Sequence, residues 1–137
     1  MRDKIRLAMF CVLLLSPQRA LAEDGRPDGN KLFTQCSKAV AITEATEEAA
    51  RAFSSEDYVQ ASFCLGYLSG FLDMNTLCQL TAGNRVVFCV PRGVLSGQAA
   101  RVVVQYLQEH AEKLHEDGVT LIMLALKAAF PCAPAKP

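Results

Sequence analysis

Between Tyr58 and Leu72 the chain runs for fifteen residues without a charged side chain. Its apolar residues fall at helical spacing on three sides at once. Tyr58, Ala61, Leu65, Leu68 and Leu72 form one stripe, and Cys64, Tyr67, Phe71, Met74 and Cys78 a second. Val59, Phe63, Gly66 and Gly70 form a third. A helix that is apolar nearly all round is expected in the centre of a bundle, enclosed by its neighbours. Ser54-Ser55-Glu56-Asp57, just before it, supplies an N-cap and acids for the first turn. Gly66 and Gly70 have the G-x-x-x-G spacing that drives helix pairing in bilayers. Gln60 and Ser62 interrupt this span, so the two glycines are expected to let a neighbouring helix of the same bundle approach closely.

The flanking segments carry weaker helical signals. Lys31–Val40 places Leu32, Phe33, Cys36, Ala39 and Val40 on one side, with Gln35 and Lys38 outside. Ala41–Phe53 is rich in Ala and Glu and is compatible with continued helix. Gly97–His110 turns Ala99, Val102, Val103, Tyr106 and Leu107 inward and Arg101, Gln105 and Gln108 outward, with Ser96 as the expected N-cap. Glu116-Asp117 opens a last helix that buries Val119, Leu121, Ile122, Ala125, Leu126 and Ala129. Phe130-Pro131 ends it, because proline disfavours helical geometry in the residue before it. Leu80–Leu95, with Ala82-Gly83-Asn84, Pro91 and Gly93, reads as a loop. Val86-Val87-Phe88 is a single strand-like run, and one strand makes no sheet. The expected fold is all-α, a small disulfide-stapled bundle of four to five helices.

The N-terminus sets the chemical environment. Arg2, Lys4 and Arg6 precede an apolar run, Leu7–Leu15, followed by Ser16-Pro17 and Ala20-Leu21-Ala22. These are the three parts of a cleavable signal peptide. The run is shorter than the ~20 residues a membrane span needs. The expected organisation is a signal peptide over 1–22, a flexible leader over 23–30, a helical domain over 31–132 and a short tail over 133–137. The processed chain is then periplasmic, with no membrane association after cleavage. Removing residues 1–22 takes four basic side chains and one acid from a formally neutral chain and leaves a net charge of −3. Nucleic acid and anionic membrane favour basic partners, so neither is expected.

Export also changes the reading of the cysteines. Cys36, Cys64, Cys78, Cys89 and Cys132 remain, an odd number in an oxidising compartment. No two have C-x-x-C spacing, so a zinc site or a thioredoxin-like motif is not expected. Cys36 lies on the first helix and Cys64 on the long one. Cys89 precedes the last helical pair and Cys132 follows it; if that pair is antiparallel, its ends meet. The expected bonds are Cys36–Cys64 and Cys89–Cys132, with Cys78 left over or joining two chains.

Catalytic signals are thin. Gly93-Val94-Leu95-Ser96-Gly97 has its serine one place late for a nucleophile elbow. His110 and His115, five apart, point to different sides of a helix and form no metal-ligand motif. Asp73 has no carboxylate partner and is expected at a solvated helix end. No phosphate-cradling loop is present. No cofactor, metal or catalytic residue is expected, and the chain does not read as an enzyme.

Four blocks together carry a resemblance. They are Cys64–Asp73, Phe88–Val94 with Ser96 and Gln98, Val102–His110, and Leu124–Cys132. In order, spacing and cysteine placement the chain resembles the Rap/Tai family of type VI secretion amidase immunity proteins, over roughly Leu32–Cys132. Ala111 stands where that family usually has proline, and Cys78 looks like an addition. The resemblance implies a small, helical, often dimeric periplasmic protein that binds a peptidoglycan-cleaving amidase toxin and blocks its active site. The Leu80–Leu95 loop is the expected contact element, with Asn84, Arg85, Val87 and Arg92 as partner-binding residues, since arginine suits interfaces. The alternative is a periplasmic structural or acid-stress chaperone-like module with no toxin partner.

Overall fold

A computed structural model describes residues 25–82 and 86–132 of the chain. Five α-helices follow one another: α1 Gly29–Glu44, α2 Glu47–Ala50, α3 Ser55–Ala82, α4 Ser96–Glu109 and α5 Gly118–Ala129. A 3-10 turn, Ala111–Lys113, links α4 to α5. No strand forms among the described residues; Asp28 and Asp117 make one isolated antiparallel bridge. The all-α bundle expected from periodicity is the fold observed.

Local chemistry explains where the helices start. Asp28 caps α1 by accepting from the Lys31 N–H at 2.8 Å. Thr46 caps α2, and Asp117 caps α5 by accepting from the Thr120 N–H at 3.1 Å. At the head of α3 the Ser54 Oγ accepts from the Asp57 N–H. The Asp57 carboxylate accepts from both the Ser54 N–H and its hydroxyl, so two end groups are satisfied reciprocally. Ser96 does not cap α4. Leu95 occupies that position with no side-chain acceptor, because burial of Ala99, Ala100, Val103 and Leu107 fixes the helix register instead.

The core is built from Leu32, Cys36 and Ala39 of α1, Ala61, Cys64 and Leu68 of α3, the buried face of α4, and Leu121, Ile122, Ala125 and Leu126 of α5. Burying each large aliphatic side chain here contributes roughly 1.5–3 kcal/mol. The α1 helix packs on both α3 and α4, and α4 packs on α1, α3 and α5. The central elements are therefore α1 and α4. Contrary to expectation, α3 is peripheral, and Val59, Phe63, Met74, Leu77 and Leu80 are exposed. Lengths account for this. The 28 residues of α3 span about 42 Å, whereas α1 and α4 span about 24 and 21 Å. Two shorter helices cannot cover three apolar sides of a longer one.

Further differences follow from tertiary packing. Gln35, expected outside, is 6% exposed, because α1 is covered on two sides. Asp73 is exposed in mid-helix and not at an end, since α3 continues through Leu80 to Ala82. Val119 is half-buried and Ala129 exposed. The leader residues Pro27–Asn30 are fixed. Gly29 N–H donates to Glu116 O, Asn30 N–H to Leu114 O, and Gly118 N–H to Pro27 O, all within 3.0 Å. Residues 1–24, which take in the expected signal peptide and the first two residues of the expected leader, lie outside the described residues.

Both expected disulfides form: Cys36–Cys64 ties α1 to α3, and Cys89–Cys132 closes the antiparallel α4–α5 pair. In the chain-entropy treatment, loops of these lengths stabilise by about 3–4 kcal/mol each. Among the described residues Cys78 is the free thiol.

Two predictions follow from the α1–α5 contact and from the α3 cap. A Cβ on Gly118 would collide with the Pro27 carbonyl, and one on Gly29 would lie 2.6 Å from Leu121 Cδ1 and 2.7 Å from Leu114 O. Gly118→Ala is therefore expected to destabilise by about 1–3 kcal/mol. Calorimetry should show a drop of several degrees in Tm, and an unchanged Tm would contradict this close approach. The hydrogen bond from Lys38, 2.7 Å away, and those from Ser54 lower the Asp57 pKa from the ordinary 3.8 to about 2. A carboxylate held low in the folded state contributes stability that is complete above about pH 4 and lost as pH falls through 2. Melting temperature should decline over that window, and Asp57→Asn should flatten the decline.

Candidate interaction site

The unpaired face of α3 does not lie open along its whole length. Between Gly66 and Cys78 it forms one wall of a groove of about 540 Å³. Two adjacent helical rows line that wall: Gly66, Gly70 and Met74, and beside them Tyr67, Phe71, Asn75 and Cys78. Tyr67 and Phe71 pack edge to face at 5.7 Å, which stiffens the second row. Val86, Val87 and Phe88 make the facing wall, and Met123 of α5 closes the base.

The two glycines deepen this groove. No atom lies within 4 Å of a Cβ built on either Gly66 or Gly70. The close helix approach expected for the pair is therefore not present within the bundle; the glycines leave a trough where larger side chains would stand.

The second disulfide positions the facing wall. Cys89 is bonded to Cys132, and its N–H donates to Phe130 O at 2.9 Å. The Cys132 sulfur lies 3.9 Å from Val86 O. Phe88 is buried in the core, while Val87 is 48% exposed at the groove rim. The irregular segment is thus held near its middle, by the Phe88 side chain in the core and by the covalent bond from Cys89 to the chain just after α5.

Among the described residues no charged side chain lines the groove. The polar side chains of this lining are Asn75, 8% exposed and making no hydrogen bond among the described residues, and Tyr67, whose hydroxyl is buried. The expected partner-binding residues divide around this site. Val87 belongs to it, and Arg92 sits exposed on the turn completed by Gly93, whose φ is +92°. Asn84 and Arg85 lie outside the described residues. The groove itself was missed in sequence, although its signal was there: an uncharged helical span longer than its neighbours can cover.

The other candidates stand apart from it. His110 ends α4, with Nδ1 2.8 Å from Tyr106 O and its ring stacked on Tyr106 at 4.1 Å. Lys113 lies over the same tyrosine ring. His115 and Asp73 are exposed. Among the described residues no group of three or more His, Cys, Asp or Glu could hold a metal ion. No described helix is long and apolar enough to cross a membrane.

A model of the Rap1a immunity proteins matches residues 28–132, which takes in every described helix, both disulfides and the groove. The chain belongs to the Rap1a immunity protein family. No curated protein and no solved structure matches it. Membership implies an immunity protein that binds a toxin effector and acts by inhibition, without catalysis of its own.

If the Cys89–Cys132 bond holds the groove wall, its removal should act locally as well as globally. Replacing both cysteines with alanine is expected to lower stability by about 2–4 kcal/mol. Limited proteolysis should then cut fastest within residues 83–95. Equal protection of this segment in the double variant and the parent would show that the bond does not hold it.

Proposed function

We propose that this protein acts in the periplasm, after removal of residues 1–22, against a peptidoglycan amidase delivered by a type VI secretion system. The observation that carries this reading is the family match over residues 28–132, together with two disulfides that suit an oxidising compartment. The inhibitor seats the segment after α3 in the amidase's catalytic cleft, with Asn84, Arg85, Val87 and Arg92 as contacts. An exposed valine beside exposed arginine gives an apolar anchor with a polar rim, the usual anatomy of a protein interface. The protein also forms a homodimer. Tyr58, Val59 and Phe63 on the first half of α3 are exposed outside the groove and available to a second copy; Phe63 is 62% exposed.

The exposed apolar face of α3 also favours a second reading, a structural or acid-stress chaperone-like module without a toxin partner. Such a module exposes more apolar surface on acidification. An apolar dye whose fluorescence stays flat down to about pH 2 would remove that version.

The test of the main reading is direct. Residues 23–137 are mixed with candidate peptidoglycan amidases, including any encoded beside this gene, and release of peptides from isolated peptidoglycan is followed. Stoichiometric inhibition is expected, with Val87→Asp raising the inhibition constant roughly tenfold or more. Undiminished amidase activity at a molar excess of the protein would end the reading. Sedimentation velocity checks the dimer separately.

A further inference from the structure

We propose that the Cys89–Cys132 bond is a reducible latch. A dithiol reductant opens it while Cys36–Cys64 stays closed, and opening frees residues 86–95 from the chain just after α5. The proposal rests on reading this segment as the partner-contact element, and it names what governs the segment's shape.

The two bonds differ in access. Cys36 and Cys64 have no exposed surface and belong to the core between α1 and α3. Cys89 and Cys132 are both only half-buried, and both lie outside the helices. A thiolate must reach one of the two sulfurs before exchange can occur, so the rate follows access. A reductant in solution meets the second bond in the folded protein. It meets the first only after α1 and α3 separate, an opening that breaks the core.

They differ again in what remains once each is cut. Without its disulfide, α1 would still pack on α3 through Leu32, Ala39, Ala61 and Leu68, and Lys38 would still pair with Asp57 at 2.7 Å. Residues 86–95 have no helix or sheet ladder to hold them. They keep the Phe88 and Val90 side chains against the core and the hydrogen bond from Cys89 N–H to Phe130 O. Opening the second bond therefore loosens one segment and leaves the bundle standing. Val87 and Arg92, both proposed contacts, flank Cys89 within three residues and move with it.

The chemistry balances between the bond and the reductant. One thiolate of the dithiol attacks a sulfur of the bond, forms a mixed disulfide and expels the other cysteine as thiolate. The second thiol of the reductant then displaces the remaining cysteine and closes its own ring. Two electrons and two protons pass to Cys89 and Cys132, and the reductant leaves as a cyclic disulfide.

The probe is dithiothreitol, added to folded residues 23–137. Samples are trapped with N-ethylmaleimide at intervals, desalted and mapped by mass spectrometry, with Cys78 labelled from the start as the reference. Cys89 and Cys132 are expected to label together, roughly tenfold or more faster than Cys36 and Cys64. Trypsin should then cut after Arg92 roughly tenfold or more faster in the opened form, while helical circular dichroism stays as in the closed form. The double variant Cys89→Ala with Cys132→Ala should be cut as the opened parent is, before and after dithiothreitol.

Equal labelling of all four cysteines, or labelling of none until the protein unfolds, overturns the proposal. So does unchanged cleavage after Arg92 in both the opened parent and the double variant. In the amidase assay the opened form should have an inhibition constant raised roughly tenfold or more. If closed and opened forms inhibit equally, the latch proposal falls and the immunity reading stands. If neither form inhibits, while labelling and cleavage behave as expected, the immunity reading falls and the latch stands.

Discussion

A long apolar helix packed beside two shorter ones leaves part of itself uncovered, and most of this molecule's surface chemistry follows from that mismatch. Of α3's three apolar sides, one is buried through Ala61 and Leu68, and the adjacent Cys64 of the second is buried with them. A second is half-covered through Tyr67 and Phe71, and the third faces out. Exposed apolar surface of this kind is a liability in a monomer unless a partner uses it. Here it is neither scattered nor flat. The C-terminal half of α3 is walled on its far side by Val86–Phe88, which turns an exposed stripe into a groove.

That wall exists because the fold is fastened at three places. Cys36–Cys64 holds α1 against the middle of α3. The hydrogen bonds from Pro27–Asn30 to Leu114–Gly118 lock the start of α1 to the start of α5, through two glycines whose lack of a Cβ permits backbone contact. Cys89–Cys132 then draws the segment after α3 onto the end of α5. The first two fix the core, and the third shapes the site. A domain of this size has a modest core, so covalent fastening does work that buried area does in larger proteins.

The sequence made the four longer helices, the starts at Ser54–Asp57 and Asp117 and both disulfides legible because each is written locally or follows from chain order, whereas the Ser96 cap did not form and the Asp28 and Thr46 caps were not read. Asp117 sits at the head of an apolar run; Ala99, Val103 and Leu107 recur at helical spacing; Cys89 and Cys132 bracket a helical pair. What it left illegible depends on neighbours. Periodicity shows which sides of α3 are apolar but not how many helices arrive to cover them, so a peripheral helix resembles a central one. Gln35 reads as outward on a helix packed from one side and becomes buried when α1 is packed from two. Gly66 and Gly70 carry the spacing of a helix contact, yet no helix meets them. Gly29 and Gly118, which do meet backbone, carry no spacing signal, since their partners lie far along the chain. Of the candidate site residues, Val87 joined the groove through the adjacent buried Phe88, and Arg92 lies on a turn beyond it.

The placement of Asn75 bears on why such a groove does not simply collect any apolar molecule. Its amide atoms remain open to solvent, so water satisfies them while nothing is bound, and an occupant that displaces this water must replace its hydrogen bonds. A partner with a polar group at that point is therefore favoured over a hydrocarbon of the same shape. Specificity is that difference and not the affinity itself. Charge at the rim acts on another quantity. Exposed groups such as Arg92 influence the rate of encounter, while the groove-facing amide and the apolar walls govern how long an occupant stays. An inhibitor that must recognise one protein among many, without chemistry of its own, has use for both, and here they are carried by different residues.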